Sequence, residues 1–225
     1  MRGVRQRGTR SQPAHWLWLA LLCACAGGAE SSRQSLASVQ PDRLKPEQYS
    51  AALRDYADGC KRGSPDACGY LAFMYDNAFG VRQDIPRAVA LSTQGCDAGG
   101  AYGCAYLGYL FQTGRGVAPD AERAARLFRR ACDGRDASGC LLLGIMYKTG
   151  AGVDVDAQAA VELFTRACQA SETLACVSLG YMYANGEGVD RDEARAGELF
   201  RAACEQRDVI GCQASARLSR RQPVP

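Results

Sequence analysis

Apolar residues recur along this chain at a fixed interval, and each group has the spacing of a helix. Each copy places a leucine, a small residue and then two larger apolar residues within five positions, at 71–75, 107–111, 143–147 and 179–183. Residues three and four apart lie on one helix face, so each group predicts a helix with one buried side. The small residue after each leucine allows a neighbouring helix to approach closely.

Glycines and aspartates mark the ends of the predicted helices. A Gly-x-Gly-Val motif begins at Gly114, Gly150 and Gly186, and glycine suits the positive φ of a helix exit. In the first copy Ala78 replaces the first glycine. An aspartate then stands where a second helix needs an N-cap, at Asp84, Asp120, Asp156 and Asp192. The second helix runs to the next cysteine, so the unit is an αα-hairpin.

Ten cysteines follow the same period. They stand at 60, 96, 132, 168 and 204 and at 68, 104, 140, 176 and 212, and both series advance by 36 residues without an insertion. A fixed period of this length is typical of a solenoid, in which equal units stack on one another. We therefore predict an all-α fold, a right-handed α-solenoid of stacked 36-residue αα-hairpins with no β-sheet.

These recurring Leu-Gly, Gly-x-Gly-Val, Asp and Ala positions resemble the Sel1-like repeat, a tetratricopeptide-like family, and specifically its exported cysteine-rich branch. The resemblance places the solenoid at 46–218, with complete repeats at about 67–99, 103–135, 139–171 and 175–207 and with cap helices on both sides. Ala72 and Ala78 depart from the family's glycines. The last unit keeps Cys212 but is truncated, and residues 219–225 form a tail.

Metal ligation, redox chemistry and disulfides are the roles open to the cysteines. Zinc ligands come as cysteine pairs about two to four residues apart with a second pair or a histidine nearby, unlike the pairs here, so we expect no metal site. Two disulfide schemes suit the hairpins: one joins cysteines eight apart, and the other joins cysteines 28 apart, such as Cys68 with Cys96. The resemblance implies the first scheme, which is Cys60-Cys68, Cys96-Cys104, Cys132-Cys140, Cys168-Cys176 and Cys204-Cys212.

Residues 1–25 have the pattern of an export signal. Four arginines precede an apolar run at 16–24 that is too short to span a bilayer. Cleavage after Ala26 fits an ordinary secreted or periplasmic protein, whereas residues 22–25 resemble a bacterial lipoprotein box with Cys25 as the acylated residue. We favour the lipoprotein, which would be lipid-anchored to the periplasmic or outer surface of the bacterial envelope. Residues 26–45 are predicted to form a flexible tether.

Removal of the signal changes the chemistry available to the mature chain. The signal contains the single histidine, His15, and both tryptophans, Trp16 and Trp18. A chain without histidine lacks the most frequent general base and metal ligand. Four arginines also leave, so the net charge falls from +3 to about −1. We therefore expect no nucleic-acid partner and no cofactor.

Catalytic motifs are weak in this sequence. Lys148-Thr149-Gly150 matches the Lys-Thr-Gly box of serine β-lactamases, but these residues fall in the loop of a repeat. The lysines are Lys45, Lys61 and Lys148, and none follows a serine by three residues, so the nucleophile box is missing. We predict no catalytic residues.

Three classes of function are open. We favour a non-catalytic, monomeric scaffold for a protein or peptide partner at the cell envelope, because repeats build extended binding surfaces without a nucleophile. Some cysteine-rich Sel1-like proteins carry β-lactamase and penicillin-binding assignments, so the resemblance implies weak β-lactam binding or hydrolysis as the alternative. Haem or metal handling, suggested for a related mitochondrial branch, is the third.

A surface on the first helices is the candidate partner site. In tetratricopeptide-like stacks these helices line the concave side. Two positions on each helix would form a trough, and they carry Tyr70 and Phe73, Tyr106 and Tyr109, Leu142 and Ile145, and Ser178 and Tyr181. The candidates are Tyr70, Phe73, Tyr106, Tyr109, Ile145 and Tyr181. Ordinary helix packing is the competing explanation for these side chains.

Overall fold

Helices dominate the folded part of the chain. The computed structural model describes residues 40–220, which contain ten α-helices and no β-strand. The helices are α1 Tyr49–Lys61, α2 Pro65–Asn77, α3 Ile85–Asp97, α4 Ala101–Thr113, α5 Ala121–Asp133, α6 Ala137–Thr149, α7 Ala157–Gln169, α8 Thr173–Asn185, α9 Glu193–Glu205 and α10 Val209–Ser219. Each helix packs against the next, and α4 also contacts α2 and α6. The predicted all-α solenoid of stacked hairpins is confirmed.

The helices begin and end at the predicted caps. Asp84 accepts a hydrogen bond of 3.0 Å from the backbone N–H of Arg87, and the aspartates at 120, 156 and 192 cap α5, α7 and α9 in the same way. Gly114 follows α4 with a φ of 71°, in the left-handed region that glycine adopts freely. Ala78 holds the equivalent position after α2 with a φ of 58°, so the same turn forms without glycine.

The second helix of a hairpin presses a side chain onto the small residue of the first helix. A Cβ atom added to Gly144 would lie 2.7 Å from the Phe164 ring. Gly108 with Phe128 and Gly180 with Phe200 repeat this arrangement. The first hairpin has Ala72 and Ser92 at these positions, both buried, and the smaller serine leaves room for the alanine methyl group. The close helix approach predicted from the Leu-Gly pattern is confirmed.

Disulfides connect each hairpin to the next. The bonded pairs are Cys60–Cys68, Cys96–Cys104, Cys132–Cys140, Cys168–Cys176 and Cys204–Cys212. Their Cα atoms lie 4.4 to 4.6 Å apart. Each bond encloses the turn between the end of one helix and the start of the following one, which makes this a disulfide-stapled solenoid.

Arginines of the second helices add polar contacts between repeats. Nη2 of Arg130, on α5, donates a hydrogen bond of 2.7 Å to the Cys96 carbonyl near the end of α3. Arg166, on α7, binds the Cys132 carbonyl of α5 in the same way at 2.9 Å. Both side chains satisfy carbonyls that a helix end leaves without an intrahelical partner.

The described chain is packed from Pro41 onward. Pro41 begins a 3-10 turn, Pro41–Arg43, and both Pro41 and Leu44 are buried. A second 3-10 turn, Pro46–Gln48, leads into α1. Within the predicted tether, the side chains of Pro41 and Leu44 are thus buried, and Leu44 packs in the apolar cluster that contains Tyr56.

The predicted signal peptide, with Cys25, lies outside the described residues, as do the tether up to residue 39 and the tail from residue 221. Within residues 40–220, no helix combines the length and the hydropathy that crossing a membrane requires.

Candidate partner-binding cleft

The first helices of three consecutive hairpins border one cleft. Its apolar walls consist of Phe73 from α2, Tyr102, Tyr106 and Tyr109 from α4, and Leu142 from α6. We call this the aromatic cleft. Its volume is about 310 Å³, near the lower end of the range for ligand pockets. A space of this size fits one or two side chains or a short extended segment, and it is too small for a folded domain.

Aromatic rings form a continuous wall in this cleft. Tyr102, Tyr106 and Tyr109 share one face of α4 because they are three and four residues apart. The ring centroid of Tyr106 lies 6.3 Å from that of Tyr102 and 5.9 Å from that of Tyr109, and both pairs are stacked. Phe73 of α2 meets Tyr106 edge-on at 5.4 Å. Tyr109 is 39% exposed, so it presents apolar surface to an incoming partner.

A buried carboxylate joins two helices behind this wall. Asp76 of α2 is 1% exposed and accepts hydrogen bonds of 2.5 Å from the Tyr106 hydroxyl and of 2.5 Å from Nε of Arg115. Arg115, which follows α4, also donates from Nη2 to the Asp76 carbonyl at 3.1 Å. The charges of Asp76 and Arg115 therefore compensate each other, and the Tyr106 ring is held in place.

Two tyrosines of the cleft, Tyr102 and Tyr106, stay protonated at neutral pH. Burial raises the pKa of Tyr102 above the usual value for a tyrosine, and repulsion from Asp42 adds to the shift. Burial likewise raises the pKa of Tyr106, and its hydrogen bond to Asp76 acts in the same direction. Both side chains are thus neutral phenols.

Two further carboxylates line the cleft around Tyr102. Asp136 caps α6, accepts a hydrogen bond of 2.7 Å from the Gly139 N–H and is half-buried, and burial raises its pKa. Asp42 comes from the 3-10 turn before α1 and is exposed. Neither forms an ion pair with a lysine or arginine of residues 40–220. This part of the cleft, which we call the acidic end (Asp42, Asp136 and Tyr102), is therefore negatively charged.

Three of the six candidate residues line the aromatic cleft. Phe73 and Tyr109 line it as partly accessible side chains, whereas Tyr106 is 7% exposed and bound to Asp76. Helix packing, the competing explanation, therefore accounts for most of the buried surface of Tyr106.

The other three candidates lie outside that lining. Tyr70 packs with its ring centroid 4.6 Å from that of Tyr102. Ile145 is 37% exposed on α6. Tyr181 packs on Phe200, with the ring centroids 5.0 Å apart.

Sequence reasoning missed five residues that shape the cleft: Asp42, Asp76, Tyr102, Arg115 and Asp136. The available signal was a departure from the repeat, because the positions equivalent to Asp76 hold Gln112, Lys148 and Ala184. The unusual residue at position 76 does not by itself show which side chains contact it.

The residues considered for catalysis and metal binding have structural roles here. All ten cysteines of residues 40–220 are in disulfides, so none of them is a free thiolate. Lys148 pairs with Glu187, with Nζ 3.0 Å from Oε2, and the Thr149 hydroxyl donates to the Ile145 carbonyl. Gly150 ends α6 with a φ of 76°. The Lys-Thr-Gly stretch is therefore a helix terminus.

Fold and cleft together define an α-solenoid of the helical-repeat class with an aromatic cleft on its first helices. The family model of the Sel1 repeat matches four consecutive segments, residues 65–100, 101–136, 137–172 and 173–208. These segments make up more than half of the sequence, and the chain belongs to the Sel1-repeat family. Sel1 repeats form a scaffold that typically mediates protein–protein interaction.

Solved structures share this fold. A Sel1 repeat protein from Oxalobacter formigenes superposes with a TM-score of 0.67 at 22% identity, over 76% of this chain and 72% of that one. A protective antigen present in uropathogenic Escherichia coli strains, c5321, gives a TM-score of 0.64 at 26% identity, over 72% of this chain and 35% of that one. The immunity protein Pa5087 from Pseudomonas aeruginosa gives 0.53 at 20% identity, over 81% of this chain and 66% of that one. No curated protein matches the sequence.

Proposed function

We propose that this protein is an exported scaffold that binds an extended segment of a protein partner in the aromatic cleft. The observation that carries the proposal is the wall of Phe73, Tyr102 and Tyr109 on consecutive first helices, with Tyr109 39% exposed. Aromatic side chains in a partly desolvated pocket are the usual anchors of protein interfaces. The cleft is also held rigidly by the Asp76–Arg115 contact and by the disulfides, so little order is lost when a partner binds.

The compartment follows from the cysteines. Five disulfides within 40–220 are typical of a protein in an oxidising, extracytoplasmic environment. We propose further that residues 1–25 direct export and that Cys25 is acylated, which would place the solenoid at the bacterial envelope. Labelling with a radioactive fatty acid, with Cys25→Ser as the control, tests the anchor. An unlabelled protein that begins at Gly27 would instead indicate ordinary secretion.

Partner binding is tested by placing a photo-crosslinking amino acid at position 109 in the native envelope. The crosslinked protein is identified by mass spectrometry and purified, and its affinity is then measured directly. Tyr109→Ala should weaken binding by about tenfold, the usual effect of losing an interface anchor. Ile210→Ala is the matched control, because Ile210 is 47% exposed and lies on α10, away from the cleft. Equal affinity of both variants would contradict the proposal.

A further inference from the structure

We propose that the acidic end of the aromatic cleft binds the side chain of an arginine or lysine presented by the extended segment of the partner. The inference rests on the proposed function and names the chemistry that the same cleft recognises.

The charge balance of the cleft favours a cationic ligand. Its lining contains three acids, Asp42, Asp76 and Asp136, and one cation, Arg115. Asp76 and Arg115 are bonded to each other at 2.5 Å, which leaves the two acids of the acidic end without a cationic partner in the described part of the chain. A guanidinium or ammonium group placed there would compensate charge that the protein itself leaves uncompensated.

Tyr102 lies where such a cation would bind. It lines the same cleft as Asp42 and Asp136. The negative charge of both carboxylates also helps to raise the pKa of its phenol. A cation within about 6 Å of an aromatic centroid is attracted by the ring face. The Tyr102 hydroxyl has no hydrogen-bond partner among residues 40–220, and its oxygen can accept a hydrogen bond from a guanidinium N–H.

The apolar walls suit the remainder of the same side chain. Arginine and lysine carry three or four methylene groups that pack along apolar surface while the charged head reaches polar groups. Tyr106 and Leu142 supply that surface beside the acidic end. An anionic side chain would be repelled by Asp42 and Asp136, and Arg115 already uses Nε and Nη2 on Asp76. A basic side chain is thus the occupant that fits both the charge and the walls.

The test uses the intact, disulfide-bonded chain and synthetic peptides. Seven-residue peptides of glycine and serine, acetylated and amidated, carry arginine, citrulline or glutamate at the centre and are titrated by NMR. Citrulline has nearly the shape of arginine without the charge. The arginine peptide should bind at least about tenfold more tightly than the other two, and it should shift the backbone amide signals of Tyr102 and Gly139.

Charge-removing variants locate the site. Asp136→Asn keeps the N-cap, because asparagine caps helices as well as aspartate does. It should weaken binding of the arginine peptide by about tenfold, and Asp42→Asn, at an exposed position, should act in the same direction. Asp154→Asn is the matched control, since it removes the same charge from an exposed loop outside the cleft.

The outcomes separate this inference from the function on which it rests. Equal binding of the arginine and citrulline peptides, equal affinity of the Asp136→Asn and Asp154→Asn variants, or no detectable binding of the arginine peptide would each overturn the basic-side-chain proposal. If the Tyr109→Ala variant still bound the identified partner more weakly in that case, the scaffold function would be supported without the basic-side-chain proposal. A partner whose affinity was unchanged by both Tyr109→Ala and Asp136→Asn would overturn both proposals.

Discussion

Arg115 and Asp76 join two consecutive repeats through a 2.5 Å contact between Nε and Oδ1, although 39 residues separate them in the chain. Two repeats further on, the equivalent positions hold Lys148 and Glu187, which pair at 3.0 Å with the charges reversed. Ion pairs thus form at equivalent positions of two repeat interfaces, each between a first helix and the loop of the next repeat. What differs is burial: the side chain of Asp76 is 2% exposed, and that of Glu187 is 39% exposed.

These two pairs make a matched test of the buried contact. Arg115→Ala leaves Asp76 without a cation in a buried position and should destabilise the fold by about 3 kcal/mol. Lys148→Ala breaks a pair with two partly exposed partners and should cost less than about 1 kcal/mol. The side chains of the two cations are equally exposed, at 38%. The difference between the two stability losses therefore reflects the burial of the partner carboxylate. Urea denaturation gives both values; equal losses would show that burial of Asp76 does not matter.

Glycine in the first helices should be irreplaceable where a phenylalanine ring covers it. Gly144→Ala would place a methyl group 2.7 Å from the Phe164 ring and should destabilise by about 1 to 3 kcal/mol. Gly197→Ala is the control, because the added methyl meets its nearest neighbour, Leu218, at 3.4 Å in the interior of α9. Removal of a helical glycine there should stabilise by up to about 1 kcal/mol. Calorimetric melting decides this, and the prediction fails if both variants shift Tm alike.

Two carboxyl groups should give opposite dependences of stability on pH. Burial raises the pKa of Asp136, so its contribution to stability is present below the ordinary value of 3.8 and is lost as the pH rises through the higher folded value. Hydrogen bonds from Asn185 and Lys148 lower the pKa of Glu187, so its contribution is present above the ordinary value of 4.5 and is lost as the pH falls through the lower folded value. Between pH 3.8 and the higher folded pKa of Asp136, Asp136→Asn should remove a fall in the free energy of unfolding with rising pH. Between the lower folded pKa of Glu187 and pH 4.5, Glu187→Gln should remove a rise in that free energy with rising pH. Denaturation at stepwise pH measures both, and slopes of the same sign would refute the assignment.

The staples should contribute strongly to stability. In the chain-entropy model a disulfide between residues eight apart contributes roughly 2 to 3 kcal/mol. The double variant Cys132→Ser with Cys140→Ser should therefore lower the free energy of unfolding by that amount while keeping the helical circular dichroism spectrum. Mass spectrometry of non-reduced peptides checks the connectivity, and a Cys68–Cys96 peptide would disprove the pairing that the structure contains.

Much of the architecture is determined by the sequence alone. Helix positions follow from apolar spacing, and their ends follow from local chemistry at residues such as Asp84 and Gly114, because capping involves only neighbours in the chain. The 36-residue period then implies stacking, since one hairpin cannot bury its own apolar face.

The aromatic cleft is decided only by the tertiary structure. Tyr109 and Tyr181 hold equivalent positions, yet Tyr109 is 39% exposed and Tyr181 packs against Phe200. Asp76 looks like an ordinary polar helix residue until Tyr106 and Arg115 meet it from the next repeat. The physical reason is that exposure and charge compensation depend on side chains about one repeat away, and the repeats differ most at the positions that face one another across that interface.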